Sequence, residues 1–575
     1  MGEHRTSGGA RGISKGPVIA VGTVVVMVLA VLGWFQLRER IADQGVEAAD
    51  TCVEGTAVIP VTVDPDVSSQ ITRSAADFTA TAPVVRDHCI SLEVTTHEST
   101  QVANALAADV ASWDDSMLGP LPALWIPRSS DALVDLPVGT VDGTPRSVAS
   151  TPVVLAVPGV VAEALDAADI GWADLPRLQS APDGMDTLGL PGWGGLRLRL
   201  PVGPDSESSA AALSAVAATT YDSSTPVPAS ELVRRSSTAT ALSALATTDR
   251  GTPSTTTEST DSALGMLSRD STPTSDVHAV PVTEQQLDAS AQSGLTAYAP
   301  SGTTPIADHP AAILAREWTD ETSRRAAAQF VDFLRQPENA QMFVDSGFDV
   351  GEPPSGSPAV GIAAQSALVD AVLDPATTRR VTTLLDISGS MDTTEGSNTR
   401  LDNTVAALDQ QFGSAIDSSE LGLWVFSKDL DGTRAFRTLV PTGPIDEPID
   451  SSTRREQLIA AAGAVRPATA TSTYEAVIAS FLDAQETYSP GKPNSVLLVT
   501  DGPNDDTTIT SSRFLSTLSE MVDPTRPITI DVVSIGTNSD GSTLQSMSDI
   551  TGGSFTTVGS SDGAELPDLL RKLLH

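Results

Sequence analysis

The segment at residues 386–391, DISGSM, has the residue types and spacing of a metal-binding loop. It follows an apolar run of strand length and precedes a polar loop and a helical pattern. In a D-x-S-x-S sequence, Asp386, Ser388 and Ser390 present a carboxylate and two hydroxyls toward one point, and Gly389 lets the backbone curl around that point. Oxygen ligands with little charge suit Mg²⁺, which keeps several of its waters. The segment therefore predicts a divalent-cation site.

Two more loops carry oxygen ligands for the same site. Thr471 lies in the polar loop TATST ahead of a helical pattern, and Asp501 follows the apolar run SVLLVT. Taken singly, Asp386 also fits a helix N-cap and Asp501 also fits a turn. The combined set predicts one site for Mg²⁺, with Mn²⁺ or Ca²⁺ as alternatives. Its members are Asp386, Ser388, Ser390, Thr471 and Asp501.

The elements that must position these residues alternate between strand and helix patterns. Apolar runs rich in β-branched residues begin at Val381, Leu421, Ser495 and Ile528, and helical patterns separate them. Strands that are apolar on both faces form parallel sheets covered by helices on each side. The expected fold is a doubly wound, Rossmann-like α/β domain. Such sheets bind their ligands beyond the carboxyl ends of the strands.

These residues resemble the metal-ion-dependent adhesion site of von Willebrand factor A-type (VWA) domains. The resemblance covers residues 379–575 and rests on DISGSM, the Thr471 loop, the run LGLWVFS and the TDG at Asp501. One departure is that Thr469 and Ala470 stand where many members have two glycines. Such a site leaves one metal position for an Asp or Glu carboxylate of a partner protein. The resemblance therefore implies metal-dependent protein–protein interaction or adhesion.

The same sequence offers little for catalysis, and we expect the protein not to be an enzyme. It contains no G-x-S-x-G elbow, no phosphate-binding P-loop, no H-E-x-x-H helix and no paired catalytic cysteine and histidine. A metal could activate water, but a general base is needed beside it. His575 is the last residue, and the other five histidines lie upstream of the motif. A hydrolytic enzyme remains the alternative from another class.

The upstream region, residues 48–350, resembles the bacterial extracellular solute-binding proteins, which have two α/β lobes and a hinge. The resemblance rests on five segments, namely LPALWIPRSSDAL (121–133), SVASTPVVLAVP (147–158), IGWADL (170–175), AYAPSGTTPIADHPAAIL (297–314) and AAAQFVDFLRQPENAQMFVDSGF (326–348). In that family, hydroxyls and backbone amides of loops hold a small solute between the lobes. The corresponding residues here are Ser99, Thr100, Arg128, Ser129, Ser130, Ser150 and Thr151. Arg128 fits an anion clamp, although a solvated arginine at the rim is equally ordinary.

Cys52 and Cys89 are the two cysteines of the chain. Two cysteines without a third fit one disulfide in an oxidising compartment, which would contribute about 3 to 4 kcal/mol on the loop-entropy model. Two unpaired buried thiols are the alternative.

The stretch from Pro17 to Gln36 is uncharged and long enough to span a bilayer. It predicts a single-pass location in the cell membrane, with a cytoplasmic tail at residues 1–16, a transmembrane helix at 17–36 and the bulk of the chain extracytoplasmic. A cleaved signal peptide and a buried core helix are the alternatives.

The net charge and the Gly-, Pro- and Ser-rich segments give further expectations about partners and domain boundaries. The chain has 73 acidic and 34 basic residues and a net charge of -39, which excludes nucleic acid as a partner because its binding needs clustered basic side chains. A Gly-, Pro- and Ser-rich segment, GEPPSGSP, predicts a linker at 351–378 between the solute-binding-like region and the VWA-like region. The Ser-, Thr- and Ala-rich stretch 205–276 is expected to fold, with disorder as the alternative.

The expected protein is thus a membrane-anchored, extracytoplasmic binding protein. Its C-terminal module would bind a protein partner through a divalent metal, and its upstream region would bind a small solute. The alternative is the substrate-binding component of a transport system that carries an accessory VWA domain.

Overall fold

The computed structural model describes residues 52–108, 110–203, 206–220, 228–290, 292–353, 359–375, 377–432, 434–538 and 540–575. The described chain divides into two compact units. The first unit comprises residues 52–150 with 308–353, and the second comprises residues 151–307 with 359–575. Both units combine strands and helices, so the chain is a mixed α/β protein, as expected.

The expected location in the cell membrane needs correction. A helix must present about 20 apolar residues to cross a bilayer, and no helix within the described ranges is long and apolar enough to do so. The segments 1–16 and 17–36, on which the expectation rested, lie outside those ranges. The single-pass location is therefore withdrawn.

A six-stranded mixed sheet forms the centre of the first unit. Its strands lie in the order Val84–Val85, His88–Thr96, Thr56–Val63, Leu124–Ile126, Pro310–Ile313 and Arg146–Ser147. The helices are Ser68–Ala80, Ser99–Ala107, Asp115–Leu118, Glu321–Leu334 and Pro337–Val344. Apolar side chains of Thr56–Val63 join those of Ser68–Ala80 and Glu321–Leu334 in one buried core. The predicted disulfide between Cys52 and Cys89 is confirmed, and it ties the start of the described chain to strand His88–Thr96.

The N-terminal part of the second unit is built on strand Thr151–Pro158. This strand pairs antiparallel with Val280–Thr283, Leu295–Tyr298 and Ile306–Ala307, and a short two-stranded pair joins Leu200–Pro201 to Thr255–Thr256. The helices are Gly159–Ala167, Leu175–Ser180, Glu207–Ala218, Ala229–Arg234, Ser236–Ala246, Thr260–Arg269, Glu284–Ala289 and Ile362–Leu373. The described part of the Ser-, Thr- and Ala-rich stretch is thus largely helical. Helix Ile362–Leu373, placed by the sequence in a linker, buries Leu368 and Val372 in the core of this part.

The C-terminal part of the second unit contains a six-stranded sheet. We number its strands β1 (Arg380–Asp386), β2 (Glu420–Asp431), β3 (Arg434–Pro444), β4 (Asn494–Thr500), β5 (Ile528–Ile535) and β6 (Phe555–Val558). Their spatial order is β3-β2-β1-β4-β5-β6. All neighbours pair in parallel except β2 and β3, which form an antiparallel pair at one edge. Two short hairpins pair Thr394–Glu395 with Asn398–Thr399 and Pro448–Ile449 with Ser452–Thr453.

Six helices cover both faces of this sheet. They are α1 (Arg400–Ser414), α2 (Arg454–Gly463), α3 (Thr473–Glu486), α4 (Ser511–Met521), α5 (Gly541–Thr551) and α6 (Glu565–Leu574). Residues Val381 and Leu385 of β1 point to the core shared with α1, α2 and α6. Leu384 points to the opposite core, which contains side chains of α3, α4 and α5. The alternation along β1 therefore produces the doubly wound arrangement that the apolar runs predicted.

We expect loss of the disulfide to destabilise the first unit selectively. A Cys52→Ser substitution frees a loop with a sequence separation of 37, and the free energy of unfolding of that unit should fall by about 3 kcal/mol. Pulse proteolysis in urea with mass spectrometry reports the two units separately. Wild-type protein treated with dithiothreitol is the control and should behave like the variant. Equal unfolding midpoints for oxidised wild type and variant would contradict the expectation.

Candidate functional site

The predicted metal-binding loop begins where β1 ends. Asp386 is the last residue of β1, and residues Gly389–Asp392 form a single 3₁₀ turn. The amide of Gly389 donates a hydrogen bond to the carbonyl of Thr469 at 2.6 Å, which fastens the turn to the neighbouring loop. A β-carbon at Gly389 would lie 3.4 Å from that same carbonyl oxygen. This distance is an ordinary van der Waals contact, so the packing would admit a β-carbon, and the role of Gly389 in letting the loop curl stays a prediction.

Hydrogen bonds join the carboxylates and hydroxyls at the ends of β1 and β4. Ser390 Oγ donates to Asp501 Oδ1 at 2.6 Å and lies 3.1 Å from Ser388 Oγ. Asp386 accepts from the Ser388 amide at 2.8 Å and from the Thr500 hydroxyl at 2.6 Å. Asp386 is fully buried and Asp501 is 4% exposed. The structure thus brings together four of the five predicted ligands through direct contacts or a shared strand end.

The fifth predicted ligand, Thr471, sits in a loop that the segment after β4 holds in place. The Asp505 amide donates to the Thr471 carbonyl at 3.0 Å, and the Thr471 amide donates to Asp505 Oδ2 at 3.3 Å. Ser472 Oγ donates to Asp506 Oδ2 at 3.1 Å. The Thr473 amide, at the start of α3, donates to the side chain of Asn504. These contacts fix the backbone on both sides of the Thr471 hydroxyl.

Gly502 shows that the hydroxyls converge on a common space. A β-carbon at Gly502 would lie 3.4 Å from Ser390 Oγ and 3.8 Å from Thr471 Oγ1. Residue 502 therefore faces both hydroxyls, and the absence of a side chain leaves that space open. The oxygen-only set of two carboxylates and three hydroxyls fits a hard divalent cation such as Mg²⁺.

The carboxylates of the site have unequal surroundings. Burial raises the pKa of Asp386 to about 6, although hydrogen bonds from Thr500 and Ser388 oppose the increase. The nearby carboxylate of Asp501 raises it further. A cation would relieve both effects because it stabilises the charged form of each carboxylate.

An arginine that the sequence analysis did not single out contacts the site. Arg400, the first residue of α1, donates from Nη1 to Asp501 Oδ2 at 2.8 Å and from Nε to Glu395 Oε1 at 2.6 Å. Glu395 also accepts from the amide and hydroxyl of Ser561 and from Ser560 Oγ. Although partial burial opposes ionisation, these hydrogen bonds, led by the Ser561 amide, hold the pKa of Glu395 at about 2. Arg400 therefore sits between two carboxylates, those of Asp501 and Glu395.

Asn504, Asp505, Asp506, Arg400 and Glu395 are the functional candidates that sequence reasoning missed. The run PNDD directly after TDG was the available signal for the first three. Nothing in the sequence around Arg400 or Glu395 marks their contacts with Asp501, 101 positions from Arg400, and with Ser561, 166 positions from Glu395.

The residues expected to bind a solute make contacts inside the first unit. Ser99 Oγ donates to Asp64 Oδ2 at 2.5 Å and accepts from the Arg128 amide at 2.8 Å. The Arg128 guanidinium lies 3.2 Å from Asp66 Oδ2, and its side chain is 7% exposed. The structure therefore places Arg128 in a buried ion pair of this unit.

Most of the other residues expected to bind a solute also have contacts or helix positions within the first unit. The Ser130 amide and hydroxyl both donate to the carboxylate of Asp308, at 2.7 and 2.5 Å. Ser129 precedes the short 3₁₀ helix Ser130–Leu133 as its N-cap residue, and Thr100 lies in the first turn of helix Ser99–Ala107. Ser150 exchanges two backbone hydrogen bonds with Asp349 in the first unit.

Thr151 belongs to the second unit, where its hydroxyl accepts from the Gln285 amide at 3.2 Å. Thr151 as a whole residue is 2% exposed. It therefore lies at the start of a buried strand and accepts a hydrogen bond from the first turn of helix Glu284–Ala289.

Comparisons with known proteins identify the upstream region. Residues 59–349 match the family model described as bacterial extracellular solute-binding protein. Two uncharacterised proteins of Mycobacterium tuberculosis, from strains CDC 1551 and H37Rv, are each 31% identical to this chain over 596 aligned residues. Each alignment covers 98% of this chain and 83% of the relative.

Solved structures give weaker likenesses. A von Willebrand factor type A protein from Catenulispora acidiphila is 17% identical, with a TM-score of 0.28 over 35% of this chain and 42% of that chain. Proximal thread matrix protein 1 from the mussel byssus, with a zinc-occupied MIDAS motif, is 16% identical, with a TM-score of 0.25 over 37% of this chain and 52% of that chain. Scores of this size transfer neither a function nor a ligand to this chain.

We expect the first unit to lose stability in mild acid because of a buried histidine. Burial lowers the pKa of His309 to about 4, whereas the pKa of a histidine in an unfolded chain is about 6.5. Between these values the unfolded chain binds the extra proton, so stability falls as pH drops from about 6.5 to about 4, by up to about 3 kcal/mol.

Urea unfolding of the first unit at pH 4.5 and pH 7, followed by hydrogen–deuterium exchange, measures this loss. His309→Asn tests the assignment, since asparagine does not titrate and tolerates the positive φ of 35° at this position. The variant should show a flatter pH dependence than wild type. The partly exposed His88 provides the control variant, His88→Asn. A His309→Asn profile parallel to that of wild type would show that another group causes the loss.

Proposed function

The chain belongs to the family of bacterial extracellular solute-binding proteins, and from this premise we propose that it carries a second, metal-dependent binding module. In this proposal, residues 379–575 act as a VWA domain that binds a protein partner through a divalent cation. The upstream region would bind a small solute, as its family does. The protein acts by binding rather than by catalysis.

The observation that carries the proposal is the meeting of three loops at one end of the sheet. Asp386 is the last residue of β1, and Asp501 directly follows the neighbouring parallel strand β4. Ser390, in the loop after β1, donates a hydrogen bond to Asp501. Gly502 faces both Ser390 and Thr471 hydroxyls. Beyond the carboxyl ends of parallel strands is where open α/β sheets bind ligands.

Each residue of the set has a definite role in this proposal. Ser388, Ser390 and Thr471 present neutral oxygens, while Asp386 and Asp501 offset the charge of the cation. When bound, Mg²⁺, or Mn²⁺ or Ca²⁺ in its place, would supply an open coordination position for an oxygen ligand. An Asp or Glu carboxylate of a partner protein suits that position. The hydrogen bonds from the Thr500 hydroxyl to Asp386 and from the Thr471 amide to Asp505 orient the groups beforehand.

Loss of either carboxylate should abolish divalent-metal binding while preserving the fold. Isothermal titration of the purified full-length chain with Mg²⁺ and Mn²⁺ should show one saturable site in the wild type. In Asp386→Asn and Asp501→Asn the metal affinity should fall by at least about 100-fold. Loss of a residue that only hydrogen-bonds to a metal ligand already lowers affinity by up to about 100-fold, and a direct ligand should matter at least as much. Asp523→Asn is the matched control, because Asp523 lies in the turn before β5, at the opposite end of the sheet. Undiminished affinity in both site variants would refute the proposed ligand set.

Partner capture should follow metal occupancy. Immobilised full-length protein with Mn²⁺ should retain a set of proteins from a cell extract that chelation with EDTA releases. Asp501→Asn should retain those proteins no better than wild type in EDTA, whereas Asp523→Asn should retain them fully. Retention that depends on neither the metal nor Asp501 would contradict a metal-bridged interaction.

A second candidate function is delivery of a solute to a transport system, with the VWA-like part as an accessory. The match of residues 59–349 to the solute-binding family favours it. Co-isolation of the chain with a permease, unaffected by EDTA, would support this candidate over the first.

A further inference from the structure

Arg400 is the basic side chain that directly contacts the proposed metal-binding set within the described part of the chain. Its Nη1 lies 2.8 Å from Asp501 Oδ2, and the Asp501 side chain is completely buried while that of Arg400 is 20% exposed. An ion pair with so little solvent around it is screened far less than a surface pair. The positive charge of Arg400 therefore acts directly on the carboxylate that is expected to face the cation.

The guanidinium is held in this position by more than Asp501. Its Nε donates to Glu395 at 2.6 Å, and Glu395 is itself fixed by Ser560 and Ser561. A β-carbon at Gly536 would lie 3.2 Å from Arg400 Nη2, so the glycine after β5 makes room for the guanidinium. Three separate segments therefore shape the place that Arg400 occupies.

The location of Arg400 has an electrostatic cost for α1. It is the first residue of the helix after the N-cap residue Thr399. The N-terminus of a helix carries partial positive charge and favours acidic side chains, so a cation in the first turn is unfavourable. A residue that breaks a local preference while making two ordered ion pairs is expected to serve a site rather than the helix.

We propose that Arg400 is a specificity-determining residue that weakens divalent-cation binding and prevents a net negative charge at the metal-loaded site, which would repel an incoming carboxylate. This inference rests on the proposed metal-binding function. Asp386, Asp501 and Glu395 contribute three negative charges around the set, and Arg400 offsets one of them. With Arg400 present, a bound divalent ion brings the net charge of this cluster to zero, whereas without Arg400 the loaded cluster would keep one negative charge. That negative charge would repel an anionic group of the partner.

A purely structural role for Arg400 makes the opposite prediction. If the guanidinium only orients Asp501, its removal misplaces a ligand and lowers metal affinity. If its charge competes with the cation, its removal raises metal affinity. The sign of the change therefore separates the two roles.

The test is titration of the full-length chain with Mn²⁺ in wild type, Arg400→Gln and Arg400→Lys. Arg400→Gln should bind Mn²⁺ about tenfold more tightly, the size of effect that one neighbouring charge has on an ionic equilibrium. Arg400→Lys keeps the charge and should stay within about threefold of wild type. Arg526→Gln is the matched control, since it removes one positive charge near Asp523, at the opposite end of the sheet, and should not change the affinity.

Acetate, followed through water-proton relaxation of the Mn²⁺-loaded protein, probes the anion-binding part of the proposal. Wild type and Arg400→Lys should bind acetate at least about threefold more tightly than Arg400→Gln. Unchanged or weaker Mn²⁺ binding in Arg400→Gln, or equal acetate binding in all variants, overturns the inference while the proposed metal site stands. Absence of Mn²⁺ binding in wild type and Arg400→Gln alike overturns both.

Discussion

The hydrogen bond from Ser390 to Asp501 joins residues 111 positions apart in the chain and depends on the parallel pairing of β1 with β4. That pairing exists because both strands are apolar on both faces and each face is covered by helices. A shift of one residue in the register would exchange the two faces of β1 and separate the carboxylates. The geometry of the candidate site is therefore a consequence of how the sheet buries its two cores.

The sequence predicted the parts of this arrangement that are encoded locally. Apolar periodicity located β1, β2, β4 and β5, and the D-x-S-x-S spacing located the loop after β1. The edge strand β3 was not found, because its sequence RAFRTLVPTGP mixes charged residues with two prolines and only part of the strand is buried. The short strand β6 carries little pattern of its own and is defined by its pairing with β5.

Contacts that depend on the folded neighbour could not be read from the sequence. Arg400 looked like the start of an amphipathic helix, and its partner Asp501 follows a strand that is distant in the chain. Arg128 was equally ambiguous, since an arginine after a strand fits both an anion clamp and a rim position. The folded first unit instead supplies Asp66 as its partner. The type of a residue predicts which interactions its side chain can make, but the fold determines which group it contacts.

The measurement that tests the central claim most directly is a crystal structure of the chain grown with Mn²⁺, in which anomalous scattering locates the ion. The ion should lie at the carboxyl ends of β1 and β4, coordinated by the hydroxyl oxygens of Ser388 and Ser390. Absence of an anomalous peak at these residues at saturating Mn²⁺, or a peak only elsewhere in the chain, would contradict it.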